Sequence, residues 1–292
     1  MVDHHIGDRG GNRRRIVRSD DGVRVSGEWL ALREPADAAA RSRALVEALG
    51  QYLPTARRWV IHDLGAGTGA MGRWLAPLLS GPQHWILHDR DADLLALATA
   101  DPPGRAADAA AVTVETTLSD ITRLRPAELA GASLLTASAL LDMLTADELA
   151  GLVAACSAAG CPALLAMTVV GCVELSPAEP LDRRLAAAFN AHQRRPTARG
   201  RRLGPDAVAQ AVEQFGPRGA EVLVRPSPWR LGPAHADLAK VWFEGWVRAA
   251  CEQQPELAPE TGAYARRRLA QASAGQLEIT VNHADLLALP PT

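Results

Sequence analysis

A run of glycines behind an acidic residue is the part of this chain whose chemistry is easiest to interpret. Residues 59–75 comprise a short apolar stretch, glycines at every second position (Gly65, Gly67 and Gly69) and an apolar helical pattern. Glycine adopts positive φ and lets a ligand approach the backbone with no Cβ in the way. A strand, a glycine turn and a helix start together form a ligand-binding corner. Asp63, two residues before the first glycine, would bring a negative charge close to that ligand.

Two kinds of ligand fit a glycine turn of this type. The dinucleotide pattern G-x-G-x-x-G can be placed on Gly67, Gly69 and Gly72, or on Gly65 and Gly67 with Ala70 last, but the pattern alone is weakly specific. The carboxylate before the glycines would repel a pyrophosphate and attract a cation. It therefore favours a positively charged ligand.

At this point the chain resembles the class I S-adenosylmethionine (SAM) dependent methyltransferases. Their first motif is an acidic residue, an apolar residue and G-x-G-x-G, and residues 63–69 read D-L-G-A-G-T-G. The resemblance implies a Rossmann-like fold, SAM as the cofactor and S-adenosylhomocysteine (SAH) as the product. It also implies that the motif contacts the cofactor through Asp63, Gly65, Ala66, Gly67 and Gly69.

Later acidic residues extend the predicted cofactor site. Asp89 ends a second apolar strand about 20 residues after the last glycine, the position from which an acid binds ribose hydroxyls. By the resemblance, Asp89 binds both ribose hydroxyls of SAM, Asp120 accepts a hydrogen bond from the adenine amino group and Ile121 lines the ring. The predicted cofactor set is completed by Arg90, by Ser138 and by Arg33, the last as a partner for the SAM carboxylate.

The resemblance also implies the reaction, an in-line displacement in which a nucleophile of the acceptor attacks the methyl carbon of SAM. The protein would mainly align the reactants and exclude water, and a hydroxyl or protonated amine acceptor would need a general base. His192 is the first candidate for that base because the unperturbed pKa of histidine lies near working pH; Asp142 is the second. The predicted acceptor contacts are Trp29, Arg194, Arg195 and Trp229.

The acceptor is predicted to be a small molecule. Five arginines within residues 194–202 are suited to a carboxylate or a phosphate, which guanidinium binds bidentately, so an acidic acceptor is one option. The alternatives are an RNA methyltransferase that uses the basic loop 194–202, with binding that weakens steeply in salt, and a non-catalytic SAM-binding protein.

The order of apolar segments predicts the fold. Strand and helix patterns alternate five times up to residue 170, which is typical of a doubly wound parallel α/β sheet. The resemblance extends this to a Rossmann-like, seven-stranded, mostly parallel sheet with an antiparallel strand pair at 220–225 and 276–282. A helical pattern over 29–49 places Asp37 and Arg41 four residues apart, as a supporting pair. The predicted domains are an N-terminal arm and cap helix over 1–45 and a methyltransferase domain over 46–292, with cap-forming insertions near 172–204 and 233–275.

Composition and residue patterns limit the partners and the cellular location that we expect for the protein. A net charge of -2 argues against a surface that binds nucleic acid throughout, although it leaves room for a local basic patch. No apolar run has the length of a membrane span, and the N-terminus has no signal-peptide pattern. Four cysteines without paired spacing are interpreted as buried free thiols, which predicts a cytoplasmic location. No metal is predicted, because Thr136 and Ser138 stand where a metal-dependent O-methyltransferase would need a carboxylate.

Overall fold

The computed structural model describes residues 17–19, 22–52 and 58–291. Most of the predicted N-terminal arm, residues 1–16 and 20–21, lies outside the described residues. The helices, in chain order, are α1 (Gly27–Ala40), α2 (Arg43–Tyr52), α3 (Ala70–Leu75), α4 (Ala92–Ala100), α5 (Ala146–Ala159), α6 (Pro180–Gln193), α7 (Ala207–Phe215), α8 (Ala236–Gln253) and α9 (Ala258–Ser273). The strands are β1 (Val17–Ser19), β2 (Gly22–Arg24), β3 (Trp59–Leu64), β4 (Gln83–Asp89), β5 (Val112–Leu118), β6 (Leu134–Ser138), β7 (Ala163–Ser176), β8 (Pro196–Thr197), β9 (Gly200–Arg201), β10 (Glu221–Pro226), β11 (Trp229–Leu231) and β12 (Glu278–Leu289).

Eight of the described strands form the central sheet. Its order is β5, β4, β3, β6, β7, β12 and β10, and β11 also pairs with β12. Strands β3 to β7 are parallel to one another, whereas β12 is antiparallel to each of its neighbours. The predicted doubly wound, mostly parallel sheet is confirmed. The predicted count of seven strands is wrong by one, because β11 adds a short extra strand.

The last strand is longer than its sequence pattern indicates. The prediction ends this strand at residue 282, the first residue of the polar stretch N-H-A-D, yet β12 continues through that stretch. Its later half pairs with β10 and its first half pairs with β11. Residues 284–289, rather than 276–282, are therefore the antiparallel partner of β10.

A buried carboxylate explains why the strand tolerates this polar stretch. Asp285 lies at a register shift in β12 and is almost fully buried. It accepts hydrogen bonds from the N–H groups of Met167 (2.8 Å) and Ser42 (2.7 Å) and from the hydroxyl of Ser227 (2.6 Å). Because buried polar atoms are stable only when they are bonded, these three donors allow an acidic residue within the sheet.

The helical pattern over 29–49 forms two helices rather than one. The chain turns at Arg41 and Ser42, between α1 and α2. The predicted pair of Asp37 with Arg41 is wrong, since Asp37 binds the guanidinium of Arg33, one turn earlier, at 2.9 and 3.1 Å. The guanidinium of Arg41 instead donates a hydrogen bond to the hydroxyl of Ser138, at the end of β6.

Helices α6, α8 and α9 pack together on the side of the predicted insertions. Arg268 on α9 links this helix to α6: it has no exposed side-chain surface and binds both oxygens of Asp182 at 2.8 and 2.7 Å. The hydroxyl of Tyr264 donates to the same carboxylate at 2.6 Å. A buried ion pair with an additional hydrogen bond fixes how α9 lies against α6. The predicted domain boundaries remain a prediction.

The four cysteines are free thiols, but only two of them match the predicted burial. Cys156 and Cys161 are buried, Cys251 is partly buried and Cys172 is exposed. None of the helices among the described residues is long and apolar enough to cross a lipid bilayer.

Candidate active site

A cavity of about 600 Å³ lies at the carboxyl ends of β3, β4, β5 and β6, beneath α1. Ligand sites of open α/β sheets occur at this edge, and the volume is in the range of small-molecule sites. The residues that line it are Val25, Trp29, Leu30, Arg33, Gly65, Gly67, residues 89–94, residues 119–122, residues 138–140, Met143, Leu144, Glu148, Arg199 and Arg202. The lining includes eight of the predicted cofactor residues: Arg33, Gly65, Gly67, Asp89, Arg90, Asp120, Ile121 and Ser138.

The glycine turn is built for close approach. Gly65 and Gly67 have φ of 67° and 55°, which residues with a Cβ rarely adopt. A Cβ on Gly67 would lie 3.0 Å from a methyl carbon of Leu30 on α1. Because Gly67 has no side chain, Leu30 of α1 can pack directly against the turn. Ala66 borders a second, smaller cavity, whereas Gly69 lines neither cavity and is the N-cap residue directly before α3.

Asp89 is held rigidly at the mouth of this turn. Its two carboxylate oxygens accept hydrogen bonds from the N–H groups of Gly67 (2.8 Å) and Asp91 (2.9 Å). A carboxylate oxygen can accept more than one hydrogen bond. Asp89 can therefore bind hydroxyl donors of a ligand without giving up its backbone partners.

Asp63 is almost fully buried behind the glycine turn. One of its oxygens accepts a hydrogen bond from the hydroxyl of Thr136 at 2.7 Å, and the other has no partner among the described residues. Burial raises the pKa of Asp63 to about 6, and the Thr136 hydrogen bond and the charge of Arg41 partly offset that effect. The site thus holds a carboxylate that a nearby cation would stabilise in its ionised form.

The second cavity, of about 60 Å³, lies beside Asp63. Arg41 and Thr68 border it, and both were missed by the sequence analysis. Arg41 donates to the hydroxyl of Ser138 at 3.0 Å, while its Nε and the hydroxyl of Thr68 have no hydrogen-bond partner in the described part of the chain. Thr68 lies inside the glycine motif, so it could have been predicted as a site residue from the sequence. For Arg41 the only sequence feature was its spacing from Asp37, which does not indicate a role in the site.

Asp120 and Ile121 line the far side of the large cavity. Asp120 begins a short 3-10 turn and accepts hydrogen bonds from the N–H (3.1 Å) and the hydroxyl (2.7 Å) of Thr122. The guanidinium of Arg199 lies 3.9 Å from its other oxygen. Asp120 is therefore partly engaged within the protein.

The strand order and this cavity can be compared with solved structures. A mycolic acid cyclopropane synthase in complex with SAH and CTAB is similar over 90% of this chain and 94% of its own, at 12% sequence identity and a TM-score of 0.50. The chain has the class I methyltransferase fold. A cyclopropane synthase from Mycobacterium tuberculosis (14% identity, 90% and 94% covered, TM-score 0.47) and a SAM-dependent methyltransferase from Methanosarcina mazei (10% identity, 86% and 98% covered, TM-score 0.49) are also similar. No protein-family profile and no curated protein sequence matches the chain.

Within this class I methyltransferase fold, α1 forms the roof of the cavity. Trp29, a predicted acceptor contact, and Arg33, a predicted cofactor contact, both line it. Trp229 does not line it: its ring is buried, lies 5.0 Å from the Arg33 guanidinium, and donates to Asp37 at 2.8 Å. Trp229 thus supports the ion pair that orients Arg33, instead of contacting the cavity as predicted.

The basic loop reaches the cavity through other arginines than those predicted. Arg194 forms a two-pronged ion pair with Asp206 at 2.6 Å, and Arg195 contacts His192 and lies 3.8 Å from Glu252; neither lines the cavity. The loop residues that line the cavity are Arg199 and Arg202.

The two candidate bases differ in their surroundings. His192 lies on α6 with its Nε2 3.2 Å from a carboxylate oxygen of Glu252, and it does not line the cavity. Asp142 lies in the 3-10 turn after β6, between Leu141 and Met143, and Met143 lines the cavity. Burial raises the pKa of Asp142 to about 6, and the charges of Arg33 and Arg202 partly offset it.

The end of β6 carries one strained residue. Ala139 lines the cavity with φ of 53°, a conformation uncommon for a residue with a Cβ. Its N–H donates to the carbonyl of Ala166 on β7 at 2.9 Å, which holds the turn in place. Backbone strain of this kind occurs at ligand sites. Among the described residues, no group of three or more His, Cys, Asp or Glu side chains is arranged to hold a metal ion.

Proposed function

We propose that this protein is a SAM-dependent methyltransferase that transfers a methyl group to a small-molecule acceptor. The observation that supports this most is Asp89, whose carboxylate faces the large cavity while the N–H groups of Gly67 and Asp91 fix both of its oxygens. A carboxylate held in this way at the end of the second strand is suited to the two hydroxyls of a ribose. The cyclopropane synthase of the same fold was solved with SAH, which is consistent with this cofactor.

The glycine turn favours a cation over a pyrophosphate. The N–H groups of Ala66, Gly67 and Gly69 all donate to acceptors within the protein. They are therefore not free for a phosphate, which binds at such turns through backbone N–H groups. Asp63 and Asp89 add two negative charges that would repel it.

The small cavity supports binding of the amino-acid end of SAM. Its polar atoms without a hydrogen-bond partner in the described residues are one oxygen of Asp63, the hydroxyl of Thr68 and the Nε of Arg41. An ammonium matches the carboxylate, and a carboxylate matches the guanidinium and the hydroxyl. When bound, SAM would supply a methyl group activated by its sulfonium.

We assign the role of general base to Asp142 in preference to His192. Asp142 does not itself line the cavity, but in the chain it lies between the lining residues Leu140 and Met143, and its pKa is raised to about 6, so it can accept a proton near neutral pH. His192 lies against Glu252 on α8, outside the cavity. Alignment of the acceptor and exclusion of water would come from α1 above the site.

The RNA alternative is weakened by the way the basic loop is paired. Three of its five arginines have carboxylate partners within the protein, namely Arg194 with Asp206, Arg195 with Glu252, and Arg199 with Glu148. Charges already neutralised in this way contribute less to binding phosphates. The space of the large cavity beyond the glycine turn in turn favours an enzyme over a non-catalytic SAM-binding protein.

Calorimetric titration of the full chain with SAM, SAH and NADH tests the proposal. We expect SAM and SAH to bind in the micromolar range and NADH not to bind. Asp89→Asn should weaken SAH binding about tenfold or more, because hydrogen bonds to a charged acceptor are lost. Asp147→Asn, an equal change of charge at an exposed residue that lines neither cavity, should leave the affinity unchanged.

Binding of NADH in place of SAM would overturn the proposal in favour of a dinucleotide enzyme. Equal losses in the two variants would show that net charge, and not the ribose site, governs the affinity.

A further inference from the structure

Arg202 holds an unusual place in the site. It lies in the loop between α6 and α7, where its backbone forms an antiparallel bridge with Thr145 at the start of α5. The next residue, Leu203, donates its N–H to the carbonyl of Leu144 at 2.8 Å. The backbone around Arg202 is therefore tied to the residues that lead into α5, and its half-buried side chain lines the large cavity.

The guanidinium of Arg202 has no hydrogen bond or ion pair with any side chain in the described part of the chain. Of the other four arginines in the loop, Arg194, Arg195 and Arg199 have carboxylate partners, while Arg201 is exposed and lies outside the cavity. Arg199, for example, lies 3.3 Å from Glu148 and 3.9 Å from Asp120. Asp142 is the carboxylate that acts on Arg202 electrostatically, but it lies beyond ion-pair distance.

Like charges surround this guanidinium. Arg90, Arg195 and Arg199 all act on Arg202 unfavourably, and together with burial they lower its pKa. Arg90 and Arg199 also line the cavity, but the carboxylates of Glu148 and Asp120 lie against Arg199. Arg202 is therefore the cavity-lining arginine of this loop that has no carboxylate within ion-pair distance in the described part of the chain. A half-buried cation without a partner is costly, and an anion in the cavity would offset that cost.

We propose that Arg202 binds an anionic group of the methyl acceptor, a carboxylate or a phosphate, in the part of the cavity bordered by the end of β6. This rests on the proposed function, since it assumes that the acceptor shares the cavity with SAM. The planar guanidinium matches both groups through paired N–H donors. The acceptor class is thus a small organic acid or phosphate ester, held where the loop 194–202 lines the large cavity.

The test measures anion binding to the full chain saturated with SAH. Inorganic phosphate and succinate are titrated separately at constant ionic strength, and the rise in melting temperature gives an apparent Kd. We expect at least one probe to bind at millimolar concentration. Arg202→Gln should weaken binding of the probe about tenfold, since the charge-assisted hydrogen bonds are lost. The affinity of Arg202→Lys should fall between those of the wild type and Arg202→Gln.

Arg201→Gln is the matched control, because this exposed neighbour carries the same charge and does not line the cavity; it should bind the probes as the wild type does. The tighter probe identifies the group as a carboxylate or a phosphate. Absence of binding by the wild type, equal losses in Arg201→Gln and Arg202→Gln, or displacement of SAH by the anion would each overturn the proposal.

Failure of the proposed function gives a different result. In that case SAH does not bind, and the same titrations on the SAH-free protein still test the anion site at Arg202.

Discussion

Replacing Asp63 with asparagine should stabilise the ligand-free protein while it damages the cofactor site. Burial raises the pKa of Asp63 from 3.8 to about 6. At about 1.4 kcal/mol per pKa unit, the ionised carboxylate costs the native state about 3 kcal/mol at neutral pH. Asparagine carries no charge and can still accept the hydrogen bond of Thr136, but its amide N–H₂ gains no obvious partner. We therefore expect a gain of about 1–3 kcal/mol in the free energy of unfolding.

The sign of the pH dependence follows from the direction of the shift. An acid whose pKa is higher in the folded state binds its proton more tightly when folded, so its contribution to stability is complete below pH 3.8 and is lost as the pH rises to about 6. Urea unfolding of the wild type and Asp63→Asn should therefore differ most at pH 7. The difference should close as the pH approaches 4.

The cofactor gives the second measurement. A cationic ligand beside Asp63 favours the ionised carboxylate, so SAM binding near pH 6 should release protons, and the release should be absent in Asp63→Asn. Calorimetry in two buffers of different ionisation enthalpy measures this release. If the variant is no more stable than the wild type at pH 7, or if the difference in stability does not change between pH 4 and pH 7, the assignment of Asp63 as a desolvated carboxylate is wrong.

Three further predictions follow from single contacts. Thr136→Val removes the hydrogen bond that partly lowers the pKa of Asp63, so proton release on SAM binding should move to higher pH, as measured by the same calorimetry. Gly67→Ala places a Cβ 3.0 Å from a methyl carbon of α1 at a φ of 55°; it should destabilise the protein by about 1–2 kcal/mol in urea and weaken SAH binding. Arg268→Ala leaves the carboxylate of Asp182 buried without its cation and should cost about 3–5 kcal/mol in urea unfolding, while the affinity for SAH, measured at a temperature where the variant is folded, stays unchanged.

The features that could be predicted from sequence are those encoded by adjacent residues. The glycine turn with Asp63 occupies seven consecutive positions, and Asp89 follows at the end of the next strand, so local pattern and strand order suffice to bring both to the same edge of the sheet. Most of the parallel part of the sheet was predictable for the same reason, because β3, β4, β6 and β7 contain apolar runs, whereas β5 contains three threonines and a glutamate.

The residues that were missed reach the site through tertiary contacts. Arg41 lies at the end of a helix whose spacing suggested a pair with Asp37, but the partner of Asp37 is Arg33, and Arg41 crosses to Ser138 on β6. Sequence spacing allows both pairings and cannot rank them. The choice depends on where α1 lies relative to the sheet.

The basic loop shows the same limit in another form. All five arginines are equivalent by composition, and the choice of Arg194 and Arg195 as acceptor contacts had no structural basis. The loop returns to the start of α5 through the bridge between Arg202 and Thr145, and this return brings Arg202 to the cavity. Asp206, just before α7, engages Arg194, and Glu252 on α8 engages Arg195.

The charges of the site are divided between two of its parts, and this division bears on how the proposed reaction would proceed. Asp63 and Asp89 place negative charge beside the glycine turn, whereas Arg202 places a cation where the loop lines the large cavity. A cationic cofactor and an anionic acceptor would each be repelled by the part that suits the other, which orients both before reaction. Transfer of the methyl group removes the positive charge of the sulfonium, so the attraction of the two carboxylates for the cofactor weakens once the product has formed. The same arrangement that orders the reactants would therefore also favour release of SAH.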